Sequence, residues 1–389
     1  MRHTSSTDGG ARPAVLYLGY YSCPELEAQG RPVVPAAQDK MGYIVAVLNE
    51  IGLRVRLVSA LHTRSTYGYP RLDMDMPDGN SIRAFRALRY GGLIRRLTRS
   101  IWMHVALFTL LMREGERGRS VIAYHSLGYA ATLALAQFVK GFRLVLEVEE
   151  LYSDISERRM DLWRERVVFS RAHAFIIPTE ELNAVVNCRR RPYAIVHGAY
   201  APVHPGGRRF PGRRIHAVYA GTLDARKGGA IAAVDAARYL DGRYHVHVIG
   251  FGSENELAAV QRRIEEVNAS GTCRVTYDGL LSGQDYSRFL ESCDIGLSTH
   301  RMEGAFNATS FPSKVLSYMR HGLRVVSARI QVVESSAVSR LVSFYDEDTP
   351  EAIAAAIEAV NLADPYEPRL ALWELHRDFV GRLSCILGV

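Results

Sequence analysis

Four lysines stand among the 48 basic side chains of this 389-residue chain, and all the others are arginines. Two of them, Lys227 and Lys314, lie where an apolar run gives way to an amphipathic segment, and Lys40 lies near a predicted helix start. Lysine is a compact point charge with rotatable donors, whereas arginine is a planar fork. A lysine kept in such a chain can therefore mark a place where a compact charge meets an anion.

The first lysine-bearing segment follows a predicted strand. Gly221 and Thr222 open a turn, Arg226 and Lys227 follow, and two further glycines open a predicted helix. Backbone amides and two cations beside a helix start can bind an anion. The alternative is a surface loop with ordinary basic residues.

Two other segments have the same strand-to-helix setting. Gly250 and Gly252 form Gly-x-Gly after a strand, but Asn255 stands where a full GxGxxG needs its third glycine, so a tight turn remains the alternative. In the other, Asn307, Thr309 and Ser310 precede a helix that starts near Ser313. Lys314 in its first turn opposes the helix dipole, which favours a bound anion there; a lysine that reaches solvent is the alternative.

The elements that position these residues alternate as strand and helix along the chain, which predicts an α/β fold with parallel sheets. The Pro-, Gly- and Arg-rich stretch 201–214 is predicted to be a linker. We predict two doubly wound Rossmann-like domains facing a cleft, with residues 1–205 forming an acceptor-binding domain and 206–366 a donor-binding domain. Residues 367–389 are predicted to form a helix that crosses back to the first domain.

Composition excludes several classes of protein. Five scattered cysteines without CxxC spacing argue against a zinc site or a disulfide framework and fit a reducing cytosol. No signal peptide or membrane span is evident. The stretch Arg83–Arg99 has six arginines, no acid and interleaved apolar residues. It could lie on an anionic membrane surface, form a solvated helix face or bind nucleic acid, although no nucleic-acid module supports the last.

The motifs AGTLDARKGG, VIGFGSENEL, VTYDGLL, CDIGLSTH and FPSKVLSYMRHGLRVVSA, over about residues 215–345, resemble the donor domain of GT-B glycosyltransferases, family 4 (group 1). The segments AAQDKMGYIVAVLNEIGLRVRLVS and LVLEVEELYSDI resemble the acceptor half of bacterial polysaccharide-assembly members. The resemblance implies a nucleotide-diphosphate sugar as co-substrate, retention of anomeric configuration, and no cofactor or metal.

By the same resemblance, Lys227 should meet the diphosphate beside the Gly221 turn, and the amides of Ser313 and Lys314 should face the phosphates. Gly250 and Gly252 should line the nucleotide, and the backbone from Tyr277 to Gly279 should line the base.

The sequence departs from the family pattern at two places. Thr222 replaces an arginine that many members carry, and Arg226 is the candidate to compensate. The Glu-x7-Glu pair falls on Thr309 and Ser317. Ser317 can bond a ribose hydroxyl, and Glu303 can reach the sugar instead.

In the first half, His125 ends a strand, where it could hold the donor sugar or position the acceptor; a core histidine is the alternative. Glu147, Glu149 and Glu150 follow on the next strand, and we favour Glu150 as the general base.

The predicted function is transfer of a sugar to a glycan or lipid-linked acceptor for a surface polysaccharide, by a cytoplasmic enzyme that lies peripherally on the inner face of the cell membrane. A non-catalytic nucleotide- or glycan-binding subunit is the alternative, followed by a nicotinamide-dependent oxidoreductase.

Overall fold

The structure is a computed structural model that describes residues 14–33, 35–152, 159–201, 210–302 and 308–389. The chain forms two compact units. Unit 1 runs to Ile177 and also includes Val186–Ala194 and Val380–Val389. Unit 2 consists of Pro178–Val185 and Ile195–Phe379. The predicted boundary at residue 205 lies outside the described residues, and the predicted domain limits remain predictions.

The strands of the first sheet are β1 (Ala14–Gly19), β2 (Arg54–Ser59), β3 (Leu72–Asp75), β4 (Ser81–Ala84), β5 (Ser120–Tyr124), β6 (Arg143–Glu147), β7 (Ala174–Ile177) and β8 (Tyr193–Ile195). Their order is β3-β4-β2-β1-β5-β6-β7-β8. β1 lies between β2 and β5 and is parallel to both. Its residues from Val15 to Gly19 are buried, as expected for a strand covered on both faces.

The strands of the second sheet are β9 (Ile215–Thr222), β10 (Tyr244–Phe251), β11 (Arg274–Gly279), β12 (Ile295–Ser298), β13 (Arg324–Ala328) and β14 (Val342–Tyr345). Their order is β11-β10-β9-β12-β13-β14, and every neighbouring pair is parallel. The two sheets confirm the predicted α/β fold with two parallel-sheet Rossmann-like domains.

The helices are α1 (Pro24–Ala28), α2 (Pro35–Glu50), α3 (Leu93–Glu114), α4 (Ala130–Lys140), α5 (Arg159–Arg171), α6 (Glu180–Val186), α7 (Gly229–Ala236), α8 (Glu254–Ser270), α9 (Gly283–Ser292), α10 (Ser313–Arg320), α11 (Gln331–Glu334), α12 (Pro350–Glu358) and α13 (Pro368–Leu387). Local signals set several of their starts. Ser253 forms a capping box with Glu256 at α8, and Thr349 caps α12 through the Ala352 N–H.

Some elements differ from the sequence predictions. The glycine and prolines between residues 20 and 36 predict a loop, but this stretch contains α1 and the start of α2. β3 and β4 form an antiparallel edge hairpin that was not predicted. β3 alternates half-buried and exposed residues, and Asp73 pairs with Arg83 of β4. Such a polar edge strand depends on its partner, which a local pattern does not reveal.

None of the helices in the described part of the chain is both long enough and apolar enough to cross a membrane.

Candidate functional site

The candidate site lies in unit 2, where β9 and β12 end. β9 is flanked by β10 on one side and β12 on the other, so the strand order reverses between β9 and β12. Open α/β sheets bind ligands at such a switch point, outside the carboxyl ends of the strands. The chain continues from β9 into α7, and from β12 into Thr299 and His300.

The Lys314 ammonium lies over the end of β9. Its Nζ donates to the Tyr219 hydroxyl at 3.0 Å and lies 4.1 Å from the centre of the Tyr219 ring. The same hydroxyl donates to the Thr222 carbonyl at 2.9 Å, so its lone pairs are left for the ammonium. A Cβ atom on Gly221 would lie 2.5 Å from Lys314 Cε. A side chain at this position would therefore displace the Lys314 ammonium from its place over Tyr219.

The second lysine adds to this charge. Lys227 lies on the exposed loop before α7, and its carbonyl accepts the Arg301 N–H at 3.0 Å. Burial, and then the positive charge of Lys227, lower the pKa of Lys314 to about 7. Among the described residues, no carboxylate forms an ion pair with Lys314. An anion bound beside Lys314 would offset the repulsion between the Lys314 and Lys227 charges, so this arrangement favours the binding of an anion.

His300 lies beside the two lysines. Its Nδ1 lies 3.2 Å from the Ser298 carbonyl, to which it donates. Its Nε2 is buried and has no hydrogen-bond partner among the residues described. Burial, and then Lys314, lower the pKa of His300 to about 4, so the ring is neutral at pH 7. Nε2 thus carries a lone pair that can accept a hydrogen bond from a ligand hydroxyl.

Sequence reasoning missed His300 as a site residue. The signal was present, because His300 comes directly after the buried strand β12 and a single threonine. The strand-end rule that selected Lys227 and Lys314 applies equally to it.

Two helices begin next to Tyr219. Gly228 precedes α7 and Pro312 precedes α10, and neither helix has a side-chain cap. A Cβ on Gly229 would lie 2.2 Å from the Thr299 carbonyl oxygen and 2.8 Å from Tyr219 Cε2, so α7 starts in close contact with both. The partial positive charge of two helix N-termini adds to that of the lysines. This arrangement can bind a phosphate or diphosphate.

The glycines predicted to line the nucleotide have packing roles of their own. Gly250 of β10 pairs with Gly221 of β9, and a Cβ on Gly250 would lie 1.7 Å from the Gly221 carbonyl oxygen. A Cβ on Gly252 would lie 2.9 Å from Leu223 Cβ, whereas Gly279 has open space around it. Nucleotide contacts for these glycines remain predictions.

Arg226 is turned towards Asp224. Its Nη2 lies 2.9 Å from Asp224 Oδ2, and its side chain is 91% exposed. The Asp224 carboxylate also accepts the Arg226 backbone N–H at 2.8 Å, which closes the loop. Thr222 is exposed. The predicted compensation for Thr222 by Arg226 would require the guanidinium to leave Asp224, and it remains a prediction.

The residues before and within α10 take different positions. The Thr309 carbonyl accepts the Thr179 hydroxyl at 2.7 Å, Ser310 is half-buried and Ser313 is exposed. Ser317 Oγ lies 3.1 Å from the Tyr286 hydroxyl. Glu303 and Asn307 lie outside the described residues. Sugar or ribose contacts for Thr309, Ser310, Ser317 and Glu303 remain predictions.

In unit 1, His125 follows β5 and is held by a carboxylate. Its Nε2 lies 3.0 Å from Glu165 Oε1, and these side chains are 2% and 1% exposed. The Tyr152 N–H donates to the same oxygen at 2.8 Å. His125 Nδ1 is buried without a partner in the described part of the chain. The Glu165 bond matches the core-histidine alternative, and a catalytic role for His125 remains a prediction.

Two acidic residues that follow β5 in the chain, Glu147 and Glu150, lie in different environments. Glu147 ends β6, is fully buried and accepts the Tyr17 hydroxyl. Burial, and then Glu149, raise the pKa of Glu147 to about 8. Glu150 is half-buried beyond the strand, and its role as general base remains a prediction.

Lys40 does not mark an open anion site. Its buried ammonium forms an ion pair with Glu149. The compact charge of this lysine therefore serves an internal ion pair, which corrects the suggestion drawn from the lysine count.

Residues 214–361 match the family model described as Glycosyl transferases group 1. This segment contains β9 to α12 and thus both lysines of the candidate site. No curated protein sequence matches the chain.

Solved structures share the fold over nearly the whole chain. A trehalose-6-phosphate synthase is similar at a TM-score of 0.67 and 10% identity, covering 97% of this chain and 98% of its own. An E. coli structure described as trehalose-6-phosphate bound with UDP-2-fluoro glucose is similar at 0.65 and 11% identity, covering 96% and 98%. A UDP-forming α,α-trehalose-phosphate synthase from Burkholderia vietnamiensis is similar at 0.64 and 10% identity, covering 96% of each chain.

The domain match and the shared fold confirm the prediction of a GT-B glycosyltransferase. Family 4 in particular remains a prediction.

Proposed function

We propose that this protein transfers a sugar, with retention and without a metal at the reacting phosphates, from a nucleotide-diphosphate donor to a glycan or lipid-linked acceptor. The product would serve a surface polysaccharide such as a capsule or exopolysaccharide. The observation that carries the proposal is the pair Lys227 and Lys314, whose charges act on each other at the ends of β9 and β12. That pair lies within the segment that matches group 1 glycosyl transferases.

The chemistry follows from where negative charge develops. When the bond between the anomeric carbon and the diphosphate breaks, negative charge grows on the leaving phosphate. The Lys314 ammonium, fixed by Tyr219, and the starts of α7 and α10 can stabilise that charge without reorganising. Binding of the diphosphate would also raise the pKa of Lys314, because it supplies the missing counter-charge.

His300 Nε2 is the candidate acceptor for a donor hydroxyl. It is buried, neutral at pH 7 and close enough to feel the charge of Lys314. A buried acceptor that lacks a partner costs free energy until a ligand donates to it. The bound UDP-2-fluoro glucose named for the E. coli structure supports a uridine diphosphate sugar as the first donor to test.

A surface of unit 1 supports a peripheral membrane position. On α3, Ile94, Leu97, Ile101 and Val105 are 77%, 57%, 62% and 54% exposed, and their spacing puts them on one helix face. Arg95 and Arg96 lie beside this face and are exposed. Exposed apolar residues flanked by arginines fit an anionic bilayer surface.

Next to α3, a cavity of about 950 Å³ is lined in part by Arg71, Arg86, Arg89, Arg113 and Trp102. It adds basic and aromatic groups to the same part of unit 1. Arg83 does not belong to the exposed face, because it pairs with Asp73 and Glu114 and its side chain is 16% exposed.

The test is release of nucleoside diphosphate from a panel of nucleotide sugars by the purified chain, with lipid-linked and free glycan acceptors. We expect acceptor-dependent release with at least one donor. Lys314→Met should lower kcat/KM by about 10²- to 10³-fold, as expected for loss of a group that stabilises the leaving charge. Lys140→Met, which removes a lysine from the end of α4 in unit 1, should leave the rate unchanged.

If the protein binds donors but releases no nucleoside diphosphate in an acceptor-dependent way, the proposed enzymatic activity is contradicted. That result would favour the non-catalytic subunit. Stabilisation by nicotinamide cofactors, with none by nucleotide sugars, would favour the oxidoreductase.

A further inference from the structure

Three histidines meet on one face of the second sheet. His216 of β9 pairs in register with His245 of β10, and His247 lies two residues further along β10. Residues two apart on a strand share a face, so all three rings point the same way. They are 7%, 8% and 3% exposed, and each offers one ring nitrogen within 4.8 Å of those of the other two.

Hydrogen bonds determine which ring nitrogens carry protons. His247 Nδ1 lies 2.9 Å from Asp278 Oδ2, so it donates to that carboxylate. The Thr276 hydroxyl also donates to Asp278 Oδ2, at 2.8 Å. Because its only proton is used there, Thr276 Oγ1 must accept from His245 Nε2, at 3.0 Å. His247 Nε2 and His245 Nδ1 are therefore left with lone pairs.

The third histidine faces one of these lone pairs. His216 Nδ1 lies 2.9 Å from His247 Nε2, so a proton or a metal ion must sit between the two nitrogens. In a tetrahedral zinc site with Zn–N bonds of about 2.05 Å, two ligand nitrogens are about 3.3 Å apart. If the two rings moved apart by a few tenths of an ångström, the ion could replace that proton.

The surroundings resemble the outer shell of a metal site. A carboxylate that accepts from the far nitrogen of a ligating histidine is the usual second partner of such a ligand, and Asp278 takes that place for His247. Phe210 stacks on His216 at 4.5 Å and on His247 at 5.0 Å between ring centres. Its ring covers one side of the cluster with apolar surface.

We infer that His216, His245 and His247 bind one divalent transition-metal ion of the zinc class, with a water molecule as the fourth ligand. Imidazole nitrogens suit zinc, copper and nickel better than magnesium or calcium. His216 and His245 lie near the amino ends of β9 and β10, whereas Gly221 and Gly250 lie near the carboxyl ends. Five residues of strand separate the two places by about 16 Å. The ion would therefore link β9 to β10 at a distance from the candidate donor site.

The test is a titration of the metal-stripped full chain with Zn²⁺ by calorimetry, and with Co²⁺ by visible absorption. We expect one ion per chain, a cobalt spectrum of tetrahedral type and a higher thermal midpoint with Zn²⁺. Asp278→Asn should weaken Zn²⁺ binding by about 10- to 100-fold, and His245→Asn should weaken it more. His376→Gln, outside the cluster, should bind as the unchanged chain does.

The inference is overturned if no one-to-one Zn²⁺ complex forms. It is also overturned if the His245→Asn and Asp278→Asn variants bind Zn²⁺ as tightly as the unchanged chain does. Either result would leave the three histidines as a hydrogen-bonded core cluster. If His245→Asn does not fold, the cobalt spectrum of the unchanged chain still decides, since an octahedral type would overturn a buried histidine site. Nucleoside diphosphate binding serves as a separate readout that metal removal should leave in place.

Discussion

At the scale of single residues, the protonation state of Lys314 would govern the proposed binding of an anion. Its ammonium contacts Tyr219 and is repelled by Lys227, and its pKa is lowered to about 7. The free protein at pH 8 therefore holds this lysine mostly neutral. A bound diphosphate favours the charged form, so binding at that pH must take up a proton.

The affinity for a nucleoside diphosphate should fall as pH rises from about 7 to 9, because more of the free protein must then be protonated on binding. Calorimetry at pH 8 in two buffers of different ionisation enthalpy should show uptake of up to about one proton per diphosphate bound. Lys314→Arg, whose charge persists at this pH, should take up almost none. Equal proton uptake by the two proteins would contradict the role of Lys314.

The sequence singled out Lys227 and Lys314 because Lys227 lies just before a helix and Lys314 lies in the first turn of one, which is a local pattern. Their contact with a donor remains a prediction. It did not foresee the Tyr219 hydroxyl as the partner of Lys314, since that contact joins β9 to α10 across 95 residues. The histidine cluster was missed for a related reason. His245 and His247 show the strand spacing, but only the register of β9 against β10 brings His216 to them.

At the scale of elements, close contact between β9 and β10 shapes the site. Gly250 has a φ of +143°, and the Gly221 carbonyl occupies the space a side chain would need. Gly221 and Gly250 therefore allow β9 and β10 to end close together, with Lys314 next to Gly221.

Gly250→Ala should lower the free energy of unfolding of unit 2 by about 2–5 kcal/mol, because the methyl group would clash with the Gly221 carbonyl and the backbone would be strained. Gly242→Ala, also in unit 2, is the matched control. A Cβ there would meet only the Thr272 carbonyl oxygen, at 3.7 Å, so the change should alter stability by at most about 1 kcal/mol. Urea unfolding measures both, and equal midpoints for the two variants would count against this packing.

Elements with local signals were predicted well. α10 begins at Ser313, as the sequence predicted. The hairpin of β3 and β4 was not predicted, because its stability comes from pairing and from ion pairs such as that between Arg83 and Glu114. Such contacts join distant segments and leave no periodic pattern in either one.

At the scale of the whole molecule, the two units carry different surfaces. Unit 1 has the exposed apolar and basic face of α3, and unit 2 has the cationic end of its sheet. A transferase that acts on lipid-linked acceptors would use the first to reach a membrane and the second to bind a donor.

Vesicle binding tests the α3 face. Arg95→Gln with Arg96→Gln should weaken partition onto vesicles of phosphatidylglycerol and phosphatidylcholine by about 30-fold, from about 1 kcal/mol per arginine. Arg262→Gln with Arg369→Gln, two exposed arginines of unit 2, should bind as before. Unchanged partition of the α3 variant would mean that this face does not contact membranes.

The central claim is that Lys314 of unit 2 binds the diphosphate of a nucleotide donor. Its most direct test is calorimetric titration of the unchanged chain, Lys314→Met and Lys140→Met with uridine, guanosine, adenosine and thymidine diphosphates at pH 7. We predict that at least one binds, that Lys314→Met weakens it by about 10- to 100-fold, as for a lost charge-assisted hydrogen bond, and that Lys140→Met has no effect. Equal affinity of the Lys314→Met variant and the unchanged chain, or no binding of any of the four, would contradict the claim.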